Sequence, residues 1–226
     1  MGQRISYIIP TLNEEDALSE SLKSIKAQTG DKEIIIADGG SADTTLEIAQ
    51  QHNAAIVTNP PGRGPQMNAG ARHSNGNLLV FLHADTTLPD GAAREVQSLL
   101  TKPGVVAGSF RLQFHPTSLI LKGYSLCASI NSSLFTYGDQ GLFIRRSDFF
   151  ALGGFKPYPI LEDVDFQKRL RQSGAFVKSC LSVTTSSRRF AKRGPLRQQI
   201  RNLFIVSAFH AGVHPRSLAR FYSNRR

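Results

Sequence analysis

The chain has no tryptophan, two cysteines, two methionines and no acidic residue after Asp165. Cys127 and Cys180 stand far apart, outside any CxxC or Cys/His spacing, so the sequence offers neither a disulfide framework nor a structural zinc site. That usage fits a reducing compartment, and the cytoplasm is the expected location. No window approaches the roughly 18 apolar residues of a membrane span; the most apolar late stretch, residues 203–209, is too short. The first ten residues lack the apolar run of a signal peptide. Met1-Gly2 with Ser6 matches a myristoylation pattern, but residues 5–9 read as a buried strand that leaves no free tail to carry a lipid. Internal repeats and low-complexity tracts are also missing.

What remains is a chain of 226 residues, 40% hydrophobic and 19% charged, with 19 Gly and 11 Pro. That is enough for one globular domain with a small appendage. The net charge of +10 is unevenly placed. Residues 1–165 hold 13 bases and all 17 acids, whereas residues 166–226 hold 14 bases and none. A basic segment on a mildly acidic body suits nucleic acid, anionic lipid or a phosphorylated substrate, and charge alone does not choose among them.

Over the first half, β-rich apolar runs alternate with helical patterns: strands at 5–9, 33–37, 54–58 and 78–82, helices from about 17, 44 and 66. Asn13-Glu-Glu-Asp16 is a candidate helix cap with acids in the first turn. This rhythm predicts a parallel sheet covered on both faces. Further on, 105–112 and 142–145 read as strands, 117–133 as mixed with helical character, 162–172 as a helix and 176–184 as one or two strands. Pro195 opens an amphipathic helix with Leu196, Ile200, Leu203, Phe204, Ala208 and Ala211 on one side.

Ligands of open parallel sheets sit at the carboxyl ends of the strands. Three predicted strand ends are polar there: Pro10-Thr11-Leu12-Asn13-Glu14, Asp38-Gly39-Gly40-Ser41 and His83-Ala84-Asp85. Each Asp alone could be a turn former, but three on one edge, with Gly62-Arg63-Gly64 between the second and third, point to a ligand.

These segments, with Leu161-Glu162-Asp163-Val164-Asp165-Phe166, occur in the order of the motifs of family-2 glycosyltransferases, and the chain resembles that family over about residues 4–185. The resemblance implies the GT-A fold, a Rossmann-like, mostly parallel α/β sheet flanked by helices. It divides the chain into a transferase domain at 1–190 and a basic helical extension at 191–226. It implies a metal-dependent inverting hexosyltransferase-like enzyme that moves a sugar from a nucleoside-diphosphate sugar to an acceptor hydroxyl or carboxyl. By similarity, Pro10, Thr11, Glu14, Asp38 and Gly39 would flank the base and ribose. Arg63, in a loop made flexible by its glycines, would reach base or phosphate, unless Gly62-Arg63-Gly64 is a plain surface turn. His83, Ala84 and Asp85 replace the usual Asp-x-Asp. Asp85 would hold Mg²⁺ or Mn²⁺ at the diphosphate, while His83 could ligate the metal, contact ribose or simply end a strand. Asp163 would be the general base, unless the acids of this first turn only complement the helix dipole, as Asp165 alone could. Asp139 and Gln140 could meet the acceptor or form a tight turn.

Arg188, in Ser186-Ser-Arg-Arg-Phe190, falls where the family carries a late basic motif near the diphosphate. The Gln-x-x-Arg-Trp form of processive polymerases is absent, which favours single addition. Short bacterial relatives act on lipid-like acids and carotenoids, so the acceptor could be lipid-linked and the basic end could rest on the inner face of a membrane, or pack on the body instead. Two rivals stay open: a nucleotidyltransferase on a similar sheet, and a nucleic-acid-binding protein using the basic tail, which would leave the strand-end acids without purpose.

Overall fold

The computed structural model of the protein describes residues 3–187 and 195–221. One eight-stranded sheet runs β3-β2-β1-β4-β7-β6-β8-β5, where β1 is Ile5–Thr11, β2 Lys32–Asp38, β3 Ala55–Thr58, β4 Leu78–Phe81, β5 Thr86–Thr87, β6 Val105–His115, β7 Leu142–Arg145 and β8 Ala175–Ser186. Strands β1 to β4 are mutually parallel and so are β6 and β8; β7 is antiparallel to β4 and β6, and β5 to β8. The mostly parallel expectation therefore holds. β8 is one continuous strand, with its register against β6 shifting twice.

The period-two alternation of side chains separates two cores. Ile5, Tyr7, Ile9, Ile34, Ile36, Leu78 and Val80 point to one face. There they meet helices α1 (Leu18–Lys26), α2 (Thr45–Gln51), α4 (Ala92–Leu100) and α5 (Leu119–Ala128). Ile8, Ile35, Leu79 and Phe81 point to the other, against α3 (Arg63–His73), α6 (Arg146–Ala151) and α7 (Glu162–Ser173). Helices α4 and α6 and the short strand β5 went unread in the sequence.

Two expectations about helices are corrected. Asn13 does not cap α1, which begins at Leu18 with Ala17 before it and no side-chain cap. Asn13 takes φ 54° and, with Glu15, turns away to the loop after β2. The late helix α8 (Pro195–His210) buries Ile205 and Val206 against Ile160, Leu161 and Val164, together with Leu218 of α9 (Pro215–Leu218). Ile200, Leu203 and Phe204, half of the stripe expected to act together, are exposed instead, because the body offers its apolar surface to the adjacent face.

Helix α3 lies close on the sheet because Gly70 leaves room: a Cβ there would sit 2.6 Å from Ile8 Cγ2. Gly70→Ala gains about 1 kcal/mol of helix propensity but overpacks a rigid branched side chain, at about 1–3 kcal/mol. The balance is a net destabilisation of up to about 2 kcal/mol by urea unfolding; a raised midpoint would contradict this packing.

Candidate functional site

The carboxyl ends of β1, β2 and β4 share one edge, and the loops leaving them are braced to one another. Thr11 and Asp38 are register partners. Asp38 is fully buried; its Oδ1 accepts from the Thr11 and Ser41 hydroxyls at 2.8 and 2.6 Å, and its Oδ2 from the Gly40 and Ser41 N–H groups, both at 2.8 Å. Burial pushes this carboxyl up, yet the bonds from Ser41, Thr11 and Gly40 together outweigh it and hold the group below its ordinary value. Asp38 is thus spent on its own turn, and the surface it leaves to a ligand is that of the turn. Glu14 N–H donates to Thr45 Oγ1, Ala42 N–H to Asn13 Oδ1, and Thr44 to Glu15. Residues that read as a helix start therefore hold two loops together.

Gln66 was missed in the sequence. Buried in α3, it donates to the Thr11 and Ala37 carbonyls at 2.8 and 2.7 Å and accepts from Gly62 N–H. One amide thus stitches the ends of β1 and β2 to the glycine loop. A Cβ on Gly39 would come within 3.0 Å of it, which explains a glycine at that point.

Arg63 does not ride a flexible loop, as expected from its glycines. It opens α3, and Gly64 is buried so tightly that a Cβ would meet the Lys156 carbonyl at 2.8 Å. Its guanidinium forms an ion pair with Glu162 at 2.7 Å. Burial pushes the Glu162 carboxyl up, Arg63 opposes this, and Asp163 adds to it; the net direction is upward.

Helix α7 starts abruptly after Leu161, a non-glycine residue at φ 64°. Such a conformation costs free energy, and it turns the chain so that Glu162 and Asp163 face the cavity. Asp163 Oδ2 accepts from Gly138 N–H at 2.6 Å and Oδ1 from Val164 N–H at 2.9 Å. A Cβ on Gly138 would approach Asp163 Oδ2 to 2.9 Å and His83 Nε2 to 3.4 Å, so only glycine fits between them. Arg63, His83, Gly138, Glu162 and Asp163 line one cavity. Asp165 is buried outside it, paired with Lys156 and Arg169 at 2.9 Å each.

His83 and half-exposed Asp85 follow β4; Ala84 between them is buried. Asp85 Oδ1 accepts from the Thr185 hydroxyl of β8 at 3.3 Å, and Asp85 forms no ion pair among the described residues. No three His, Cys, Asp or Glu side chains among those residues make a self-sufficient metal site. A cation here would have one hard carboxylate from the chain and would take its other ligands from phosphate and water, a set that suits Mg²⁺ or Mn²⁺. Arg188 lies outside the described residues, as do Arg189, Lys192 and Arg193.

Asp139 sits in a 3-10 turn (Gly138–Gln140) with its Oδ1 closed off from solvent and without a hydrogen-bond partner. Burial first, then Asp163 and Asp85, push its carboxyl up to about 7, against the pull of Arg63 and Lys178. The turn is held by Lys178 of β8, which donates to Gln140 Oε1, Ser109 Oγ and Thr136 Oγ1. Burial, then Arg171, pull that ammonium down to about 7.

Residues 6–159 match the model of glycosyl transferase family 2. The chain is 30% identical over 206 residues to a PGL/p-HBAD biosynthesis glycosyltransferase of Mycobacterium bovis, covering 80% of this chain and 75% of that one. It is 27% identical to the O-antigen chain rhamnosyltransferase WbaN of Salmonella anatum, over 91% and 72% of the two. Among solved structures it is similar to the mannosyltransferase PcManGT of Pyrobaculum calidifontis, solved with GDP-Man and Mn²⁺. That match has TM-score 0.72 and 20% identity and covers 95% of this chain and 66% of the other. Glucosyl-3-phosphoglycerate synthase of Mycobacterium tuberculosis, solved with Mn²⁺ and UDP, aligns with TM-score 0.61 and 22% identity over 91% and 80%. The chain belongs to glycosyltransferase family 2, and its fold is that of the GT-A enzymes.

A carboxyl that binds its proton more tightly when folded stabilises the chain at low pH and loses that contribution as pH rises through its folded value. Between the ordinary carboxylate range and about pH 7, the metal-free wild type should lose stability relative to Asp139→Asn. Unfolding midpoints across that range check this, and parallel curves would contradict it.

Proposed function

We propose that the chain is an inverting glycosyltransferase that takes a sugar from a nucleoside-diphosphate sugar, with Asp163 as its general base. The observation that carries the reading is the convergence of Arg63, His83, Gly138, Glu162 and Asp163 on one cavity at the carboxyl ends of the parallel strands. The base and ribose of the donor would rest on the braced loops of Pro10, Thr11, Glu14, Asp38 and Gly39, with the Asp38 turn acting as a rigid edge. Arg63, already paired with Glu162, supplies positive charge beside the diphosphate. Asp85 would hold a divalent cation, Mg²⁺ or Mn²⁺, whose charge offsets that of the departing diphosphate.

In the reaction an acceptor oxygen attacks the anomeric carbon from the face opposite the diphosphate. The carbon–oxygen bond to the diphosphate breaks and its electron pair leaves with that oxygen. The acceptor proton passes to Asp163, whose orientation is fixed by the N–H groups of Gly138 and Val164. Asp139 and Gln140, in the turn whose Gly138 N–H holds Asp163, would lie on the acceptor side of the cavity. Residues 1–190 would form the transferase and 191–226 a basic extension, with Arg188 near the diphosphate. The acceptor would present a hydroxyl or carboxyl, on a lipid-like molecule.

Asp163→Asn keeps the shape and removes the base. Transfer should fall by about 10²–10⁴ while nucleoside-diphosphate binding by thermal shift stays unchanged; normal turnover would refute the role. Asp85→Ala should abolish the dependence of donor binding on Mn²⁺, and an unaltered metal titration would count against ligation. Release of nucleoside diphosphate supports transfer, whereas pyrophosphate release from a triphosphate would favour a nucleotidyltransferase.

A further inference from the structure

Exposed large hydrophobic side chains are not scattered over this molecule. Among the described residues all of them except Phe150 fall within residues 119–134 and 200–221. Leu119 and Leu126, 86% and 71% exposed, lie two turns apart on the outward face of α5, with Ile130 just beyond its end. Ile200, Leu203 and Phe204 share the outward face of α8 at i, i+3 and i+4, and Phe204 meets the exposed ring of Phe221 with centroids 6.5 Å apart. The two helices are neighbours: α5 contacts α8, and Tyr124 faces Gln199.

The charge around these faces is of one sign. Residues 116–138 contain Lys122 and no acid, and residues 195–221 contain four Arg and no acid. Neither segment therefore offers a carboxylate to the surface they form together. No helix among the described residues is long and apolar enough to cross a membrane. An apolar face bordered by Lys and Arg, on helices that do not span, has the chemistry of an interfacial contact. A second copy of this chain fits less well, because it would set one acid-free basic surface against another.

We propose that the outward faces of α5 and α8 form a docking surface for an anionic lipid bilayer, with Leu119, Leu126, Ile200 and Phe204 entering the headgroup region. The site's own geometry gives the contact a purpose. Tyr124 on the inner side of α5 stacks with Tyr137, centroids 6.5 Å apart, and Tyr137 precedes the Gly138 whose N–H holds Asp163. The bilayer would thus lie beside the acceptor side of the cavity, where a lipid-borne acceptor enters. That purpose rests on the transferase reading above, whereas the contact itself does not.

Flotation of the full chain with vesicles tests the proposal. Vesicles of phosphatidylcholine mixed with phosphatidylglycerol should carry the protein upward. Vesicles of phosphatidylcholine alone should not, and salt should weaken the binding. Leu126→Ser with Phe204→Ser should lower the bound fraction about tenfold or more, as should the independent pair Leu119→Ser with Ile200→Ser. All four side chains are exposed, so nucleoside-diphosphate binding by thermal shift should be preserved in both pairs. Absence of flotation with either vesicle would overturn the proposal. So would flotation that both variant pairs leave intact, or a dimer by light scattering that the variants split while wild type binds no vesicle. If the transferase reading fails but the vesicles still bind, the surface stands without its purpose.

Discussion

The first turn of α7 is the constraint on which the site depends. Leu161 bends the chain into a left-handed conformation, and the two acids that follow leave in different directions. Glu162 is tied to Arg63 at the start of α3, and Asp163 to the N–H of Gly138. One helix start therefore fixes the distance between a segment leaving the parallel half of the sheet and a turn leading into β7. Asp165, one step further, is locked by Lys156 and Arg169 and anchors the helix to the body. Three nearby acids that look alike in sequence do three different jobs, separated by their partners.

The rest of the fold serves to make that meeting rigid. Parallel pairing of β1, β2 and β4 brings their polar ends to one edge, and Gln66 with the Asn13, Glu14 and Glu15 contacts turns separate loops into one surface. On the opposite side Lys178 ties Gln140 of the Gly138–Gln140 turn to Ser109 and Thr136. Buried charges with several hydrogen bonds cost desolvation, and their return here is fixed geometry between residues far apart in the chain.

Much of this was legible because it is local. Apolar runs at 5–9, 33–37 and 78–82, alternating with helical patterns, predicted the parallel sheet, and the strand-end motifs predicted the edge. What stayed hidden depends on partners distant in sequence. Nothing near Gln66 marks it as a stitch between two strand ends, and the four donors that hold Asp38 are invisible until the turn folds. The glycines flanking Arg63 suggested flexibility, whereas Gly64 is there for a close backbone approach. The stripe on α8 was found, but which of its faces the body covers is decided by Ile160, Leu161 and Val164. Strand β5 has two residues and pairs only with β8, too short a signal for periodicity to detect.

Transfer at this site requires that one donor touch all of these groups together. Crystals of the chain grown with Mn²⁺ and a nucleoside diphosphate, with the metal located by its anomalous scattering, test this most directly. The Mn²⁺ peak should lie at the Asp85 carboxylate, with the diphosphate in the cavity between Arg63 and His83 and Asp163 open toward the sugar's side. A nucleotide bound on any other face, or a metal away from Asp85, would contradict it.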